Sequence, residues 1–136
     1  MSLKKLTHRT PNGTNYAYFH SAPQASKPYL LFLHGFPESS YDWTNQTTHL
    51  AKAGYGIIAP DLLGYGDTDK PKDPKEYRFK KMTDEVVSIL DHHNIKQCIS
   101  IGHDTGCGLQ SSLAAFRRER FSAFAFLAIG TSIHCS

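Results

Sequence analysis

Apolar positions change period along the chain, and the changes mark out alternating strands and helices. Residues 4–10 and 14–20 read as two short strands around Pro11-Asn12-Gly13, a hairpin signal. Tyr29-Leu30-Leu31-Phe32-Leu33 is an unbroken apolar run, the pattern of a strand covered on both faces. Residues 41–53 read as a helix with Gly54 as its stop signal, followed by a strand over Tyr55–Ala59. A loop rich in Gly, Asp and Pro fills Pro60–Pro74. The best amphipathic stretch is 79–93, where Met82, Val86, Ile89 and Leu90 fall at i, i+4, i+7 and i+8. A strand over Gln97–Ile101, a turn, a helix to about Arg118 and a strongly apolar strand over Phe121–Ile129 complete the series. Strands alternating with helices predict an α/β fold, a mostly parallel sheet of about six strands flanked by helices.

The turn between the strand at 97–101 and the helix after it carries the first candidate chemistry. Gly102-His103-Asp104-Thr105-Gly106 has the pattern G-x-D-x-G. A strand turning sharply into a helix lifts its middle side chain above the sheet, and small flanking residues permit the tight turn. A carboxylate there attacks carbon without first losing a proton, which points to alkylation and a covalent ester. Asp104 alone also suits a helix N-cap.

Composition narrows the classes. The chain has 136 residues, which suits one domain, and a 40% hydrophobic share, enough for a packed core. A net charge of +3 with scattered basic residues gives no stripe suited to nucleic acid. Met1-Ser2-Leu3-Lys4-Lys5 lacks the apolar core of a signal peptide, and no apolar run reaches membrane-span length, so no membrane partner is expected. Three cysteines without metal-type spacing argue against a disulfide framework and fit a reducing, cytoplasmic location. Cys98 reads as a buried small hydrophobe, and Cys107 as packing behind the turn. His92 and His93 are expected to point apart and to favour the helix C-terminal dipole rather than hold a metal.

Three segments together resemble the α/β-hydrolase superfamily, and within it the epoxide hydrolase-like branch. They are His34-Gly35-Phe36-Pro37-Glu38-Ser39 with Tyr41 and Trp43, then Ala59-Pro60-Asp61-Leu62-Leu63-Gly64-Tyr65-Gly66-Asp67-Thr68-Asp69-Lys70-Pro71, then Ile101-Gly102-His103-Asp104 with Gly106. The resemblance runs from about residue 4 to 130 and implies that Asp104 is the nucleophile that opens an epoxide. It implies an oxyanion hole made by the backbone N–H groups of Phe36 and Thr105. Gly35 would let the backbone approach the reacting centre, and Pro37 would rigidify the loop. His34 is expected to order that loop, and His103 to be structural or pocket-lining. Trp43 suits pocket or core equally, and Asp61, Gly64, Gly66 and Asp67 suit a loop. The resemblance implies a small-molecule substrate and no cofactor or metal.

Two departures matter. Relatives carry Trp or Arg where this chain has Thr105, which weakens the rival reading of a dehalogenase with the same nucleophile. In the family a helical cap and further strands follow, supplying tyrosines, a general-base histidine and its orienting acid. His134 lies too early in the fold for that role. The expectation is therefore an incomplete α/β-hydrolase core, a truncated or mis-spliced product or a fragment, unable to turn over alone. An inactive fragment that binds a ligand or partner is the alternative of a different class. An open edge at Phe124, Phe126, Leu127 and Ile129 makes self-association an expectation too.

Overall fold

The computed structural model describes residues 3–36 and 38–127. Six strands form one sheet: β1 (Lys4–Arg9), β2 (Asn15–Ser21), β3 (Tyr29–Leu33), β4 (Gly56–Pro60), β5 (Cys98–His103) and β6 (Phe121–Leu127). Their spatial order is β1-β2-β4-β3-β5-β6. The first hairpin and the β2–β4 pair are antiparallel, whereas β4, β3, β5 and β6 run parallel. Three α-helices connect the parallel strands: α1 (Thr44–Lys52), α2 (Phe79–His92) and α3 (Gly106–Phe116). Among the described residues no helix is long and apolar enough to cross a membrane.

Alternation along β3 explains its unbroken apolar run. Leu31 and Leu33 face a core shared with Met82, Val86, Ile89 and Leu90 of α2 and Leu109 and Leu113 of α3. Leu30 and Phe32 face the opposite core with Trp43, Ala51, Ile57 and Ala59. Successive strand residues point to opposite faces, so a strand packed on both must be apolar throughout.

The helical signal at 41–53 divides at Trp43. Ser40–Trp43 is a 3-10 turn capped by Ser39, whose backbone N–H reciprocally meets the Asp42 carboxylate, and α1 follows. Gly54 ends this segment with φ +98°, the left-handed conformation that glycine adopts without strain. β5 runs two residues beyond its expected end, so Gly102 and His103 belong to the strand. Added to Gly102, a Cβ would sit 3.0 Å from the Gln110 side chain, so this glycine makes room for a helix residue. Gln110 itself is buried, accepting from the Ser100 hydroxyl at 2.5 Å and donating to the Ala125 carbonyl at 2.8 Å. β6 is an edge strand with Phe126 and Leu127 exposed; Ile129, expected beside them, lies outside the described residues, as does His134.

The two histidines at the end of α2 differ from expectation. His93 is the residue that ends the helix, with φ −97°, so its ring does not follow the helical spiral away from His92. The two ring centroids lie 5.1 Å apart. His93 stacks on His20 at 4.1 Å and His92 meets His8 at 5.0 Å, giving a seam of four imidazoles between the hairpin and α2. Burial and the neighbouring imidazoles push His93 down to about 4, so it is neutral at pH 7 and adds no charge to the helix dipole. Its Nε2 lies 2.7 Å from the Tyr18 hydroxyl.

Candidate active site

Strand order reverses at β3, with β4 on one side and β5 on the other, and such a switch point opens a crevice beyond the carboxyl ends of the strands. Register places Leu33 beside Gly102, so the loop after β3 and the turn after β5 emerge together. Asp104 occupies that turn with φ +53°, a conformation that costs a non-glycine residue on the order of 1–2 kcal/mol. Its carbonyl accepts from the Cys107 N–H at 2.9 Å, closing the turn into α3.

Two glycines permit the approach. A Cβ on Gly35 would lie 2.6 Å from the Asp104 Cβ. On Gly106 it would lie 2.5 Å from the Leu33 carbonyl oxygen and 2.7 Å from that of His34. Helix α3 therefore starts hard against the end of β3, and Asp104 is held against the loop after it. The Phe36 N–H points at Asp104 Oδ2 from 3.4 Å. Thr105 is the exposed residue between the carboxylate and α3.

His34 is spent on the loop. Its Nδ1 lies 2.9 Å from the Gly35 carbonyl, which can only accept, so Nδ1 carries the proton. Its bare Nε2 accepts from the Leu62 N–H at 2.9 Å. Burial lowers its pKa, which agrees with a neutral ring holding two loops together. His103 is half-buried, with Nδ1 3.3 Å from Glu38 Oε1 and its ring edge-on to Trp43 at 6.2 Å. Trp43 is core, packed on Phe32 at 5.1 Å. Pro37 lies outside the described residues.

A profile described as the alpha/beta hydrolase fold matches residues 28–134. The chain belongs to the alpha/beta hydrolase fold family. It is 39% identical over 127 residues to epoxide hydrolase 2 of Siraitia grosvenorii, covering 93% of this chain and 40% of that protein. It is also 39% identical over 116 residues to epoxide hydrolase B of Mycobacterium tuberculosis, covering 83% and 33%. An epoxide hydrolase structure from Vigna radiata superposes with a TM-score of 0.85 at 32% identity, covering 96% of this chain and 39% of that one. Epoxide hydrolase A of Mycobacterium thermoresistibile gives 0.86 at 28% identity, covering 96% and 40%. The chain thus spans about 40% of the length of the first of these relatives.

The loop after β4 carries a carboxylate that ties neighbouring segments together. Asp61 is fully buried and accepts from the Ser40 N–H at 2.9 Å, the Ser40 hydroxyl at 2.6 Å and the Asp67 N–H at 3.0 Å, with Lys5 Nζ at 3.3 Å. Burial pushes its pKa up, but those donors and the Lys5 ammonium outweigh burial and hold it below the ordinary value. Gly66 makes this possible, since a Cβ there would overlap the carboxylate at 2.3 Å.

The parts that Glu38 and Lys5 play are not legible in the sequence. Glu38 accepts from the Gly35 N–H at 3.2 Å while facing His103, so it braces the loop after β3 against the end of β5. Its place three residues after Gly35 was the available signal. Lys5 reaches Asp61 across 56 positions, a distance no local pattern reports. An apolar cavity of about 430 Å³ has Phe36, Leu62, Leu63, Met82, Thr105 and Leu109 in its lining. Among the described residues no group of three or more His, Cys, Asp or Glu side chains is placed to hold a metal ion.

Proposed function

We propose that this chain carries the nucleophilic half of an epoxide hydrolase site, with Asp104 as the attacking group. A carboxylate oxygen of Asp104 bonds to an epoxide carbon, the carbon–oxygen bond of the ring breaks, and the released alkoxide takes a proton from water or an acid. The product is an ester on Asp104. The observation that carries this reading is the Phe36 N–H aimed at Oδ2 from 3.4 Å, with Asp104 held at positive φ beside it. When water attacks such an ester, the oxygen left on the carboxyl carbon becomes the oxyanion, and the donor already faces that oxygen. The Thr105 N–H is the second donor in this reading. Similarity to epoxide hydrolases of plants and mycobacteria supports the same substrate class.

Hydrolysis of the ester needs a base that activates water. His34 has both ring nitrogens committed to the two loops, and His103 faces Glu38 and Trp43. The described residues therefore suit alkylation of Asp104 better than its regeneration. Incubation with a reactive terminal epoxide should add one substrate mass to the intact protein, mapped to Asp104 by peptide fragmentation. Asp104→Asn should abolish the adduct. A folded protein that stays unmodified, or an adduct that persists in the Asn variant, refutes the assignment.

A further inference from the structure

Gln110 is a buried amide that no step of the chemistry above uses. It lies in α3 beyond the nucleophile turn and is fully buried. Stability alone does not call for an amide there, since apolar groups of the same shape can replace a buried hydrogen-bonded pair at little cost. What the amide adds is direction. Its Oε1 accepts from the Ser100 hydroxyl of β5 at 2.5 Å, and its Nε2 donates to the Ala125 carbonyl of β6 at 2.8 Å. Ser100 is itself fully buried, and β6 pairs with β5 alone in the sheet. One side chain therefore joins α3 to two strands.

The same amide rests on the strand just below Asp104. A Cβ on Gly102 would lie 3.0 Å from Gln110 Oε1, 3.1 Å from its Cδ and 3.3 Å from its Nε2. Asp104 itself is held at φ +53°, a conformation that persists only when the surroundings over-determine it. Gly106 seats the first turn of α3 against the Leu33 and His34 carbonyls. That single contact would leave the helix free to pivot. Gln110 supplies a second contact further along the helix, and two contacts set its direction. A pivot would swing Asp104 away from the Phe36 N–H, which now faces Oδ2 from 3.4 Å. A misplacement of about 1 Å at a reacting group can cost about a hundredfold in rate.

We infer that Gln110 is a positioning residue for Asp104: its amide, bonded to Ser100 and Ala125 and packed on Gly102, fixes α3 against β5 and β6 and so holds the carboxylate in line for attack. The inference rests on the assignment of Asp104 as the epoxide nucleophile. Its own content is that the bonds of the amide, and not its bulk, set the rate of alkylation.

The test follows alkylation of Asp104 in the full chain by styrene oxide, read by intact mass spectrometry, with the folded fraction measured by near-ultraviolet circular dichroism. Gln110→Met keeps the bulk and loses both bonds, and its rate per folded molecule should fall by about tenfold or more. Ser100→Ala removes one bond and little bulk, so it serves should Gln110→Met not fold, with an expected loss of roughly threefold. Gln110→Glu supplies the readout that a structural role alone would not move. A protonated carboxyl can accept from Ser100 and donate to Ala125 as the amide does, whereas an ionised one cannot donate. Burial raises a carboxyl's pKa, so the ratio of variant to parent rates should climb by about fivefold or more as pH falls from 9 to 6, at constant folded fraction. Dividing by the parent removes the titration of Asp104 itself. Parental rates in folded Gln110→Met and Ser100→Ala, losses that merely track the unfolded fraction, or a Glu ratio flat with pH overturn the positioning role and leave the nucleophile standing. A folded parent that styrene oxide does not alkylate at Asp104 sinks the nucleophile assignment, and the positioning role with it.

Discussion

Two glycines in the first turn of α3 should respond in opposite directions to the same substitution. In Gly106→Ala the new methyl would sit 2.5 Å from the Leu33 carbonyl oxygen, 2.7 Å from the His34 carbonyl oxygen and 2.9 Å from the Leu33 carbonyl carbon. All three are backbone atoms of β3 and the residue after it, which the parallel sheet holds in place. Relief requires α3 to move off the strand by at least half an ångström, because real Cβ contacts are not found below 3.0 Å. Overpacking of this kind costs about 1–3 kcal/mol, and the helix propensity gained by alanine returns at most about 1 kcal/mol, less in a first turn. The expected net loss is about 1–2 kcal/mol. In Gly108→Ala the methyl meets only the Phe79 ring, at 2.9 Å, and that ring is half exposed and free to turn aside. Alanine there should be neutral or stabilising by a few tenths of a kcal/mol. Urea titration followed by far-ultraviolet circular dichroism measures both, with equal slopes required for a direct comparison. A Gly106→Ala protein as stable as the parent would mean that α3 is not seated on β3 as described, and the placement of Asp104 would fall with it.

The histidine seam should make stability fall in acid. The His93 pKa is lowered from 6.5 to about 4, so the unfolded chain binds more protons between these values and stability drops as pH falls through that window. Unscreened, the shift corresponds to about 3 kcal/mol, but the ring is partly exposed and solvent screening leaves about 1 kcal/mol. His93→Gln should flatten the dependence of the urea midpoint on pH between 6.5 and 4, and an unchanged slope would count against the seam. Asp61→Asn should cost about 2–4 kcal/mol, because it sets an amide group among N–H donors and leaves Lys5 without one charged partner. An Asn variant with the parent's urea midpoint would show that Asp61 does not tie the loops together.

Regular elements were legible in the sequence because each is periodic over its own length. Leu30 to Leu33 announce a strand buried on both faces, and Met82, Val86, Ile89 and Leu90 announce the buried face of α2; both are as expected. Glycines were harder to read. Gly102 was taken for part of a turn, yet it lies in β5 and its missing side chain serves Gln110. Nothing local separates a glycine needed for a turn from one needed for a neighbour eight residues on. The same limit explains His92 and His93. Helical geometry separates adjacent side chains, but His93 ends the helix, and the partners that gather the rings, His8 and His20, come from the opposite end of the chain.

The site divides along the same line. The placement of Asp104 depends on geometry that short segments can encode: a strained turn, a glycine on each side of the contact (Gly35 in the facing loop and Gly106 at the start of α3), and a backbone donor from the loop after β3. Each is a property of residues 33–36 or 102–106, and the parallel register of β3 and β5 brings the two segments together. Activation of water is different. It needs an imidazole with a free nitrogen near the ester carbon, and the histidines close in sequence to the site have been drawn into other work. His34 must bridge Gly35 and Leu62, or the loop after β3 loses its tie to the loop after β4. A base that also held the loops would alter that tie each time it took a proton, because protonation removes the acceptor Leu62 needs. Chemistry that cycles protons is therefore best separated from a scaffold built on such a tie, and on the proposed reading this stretch of chain supplies the scaffold and the attacking carboxylate.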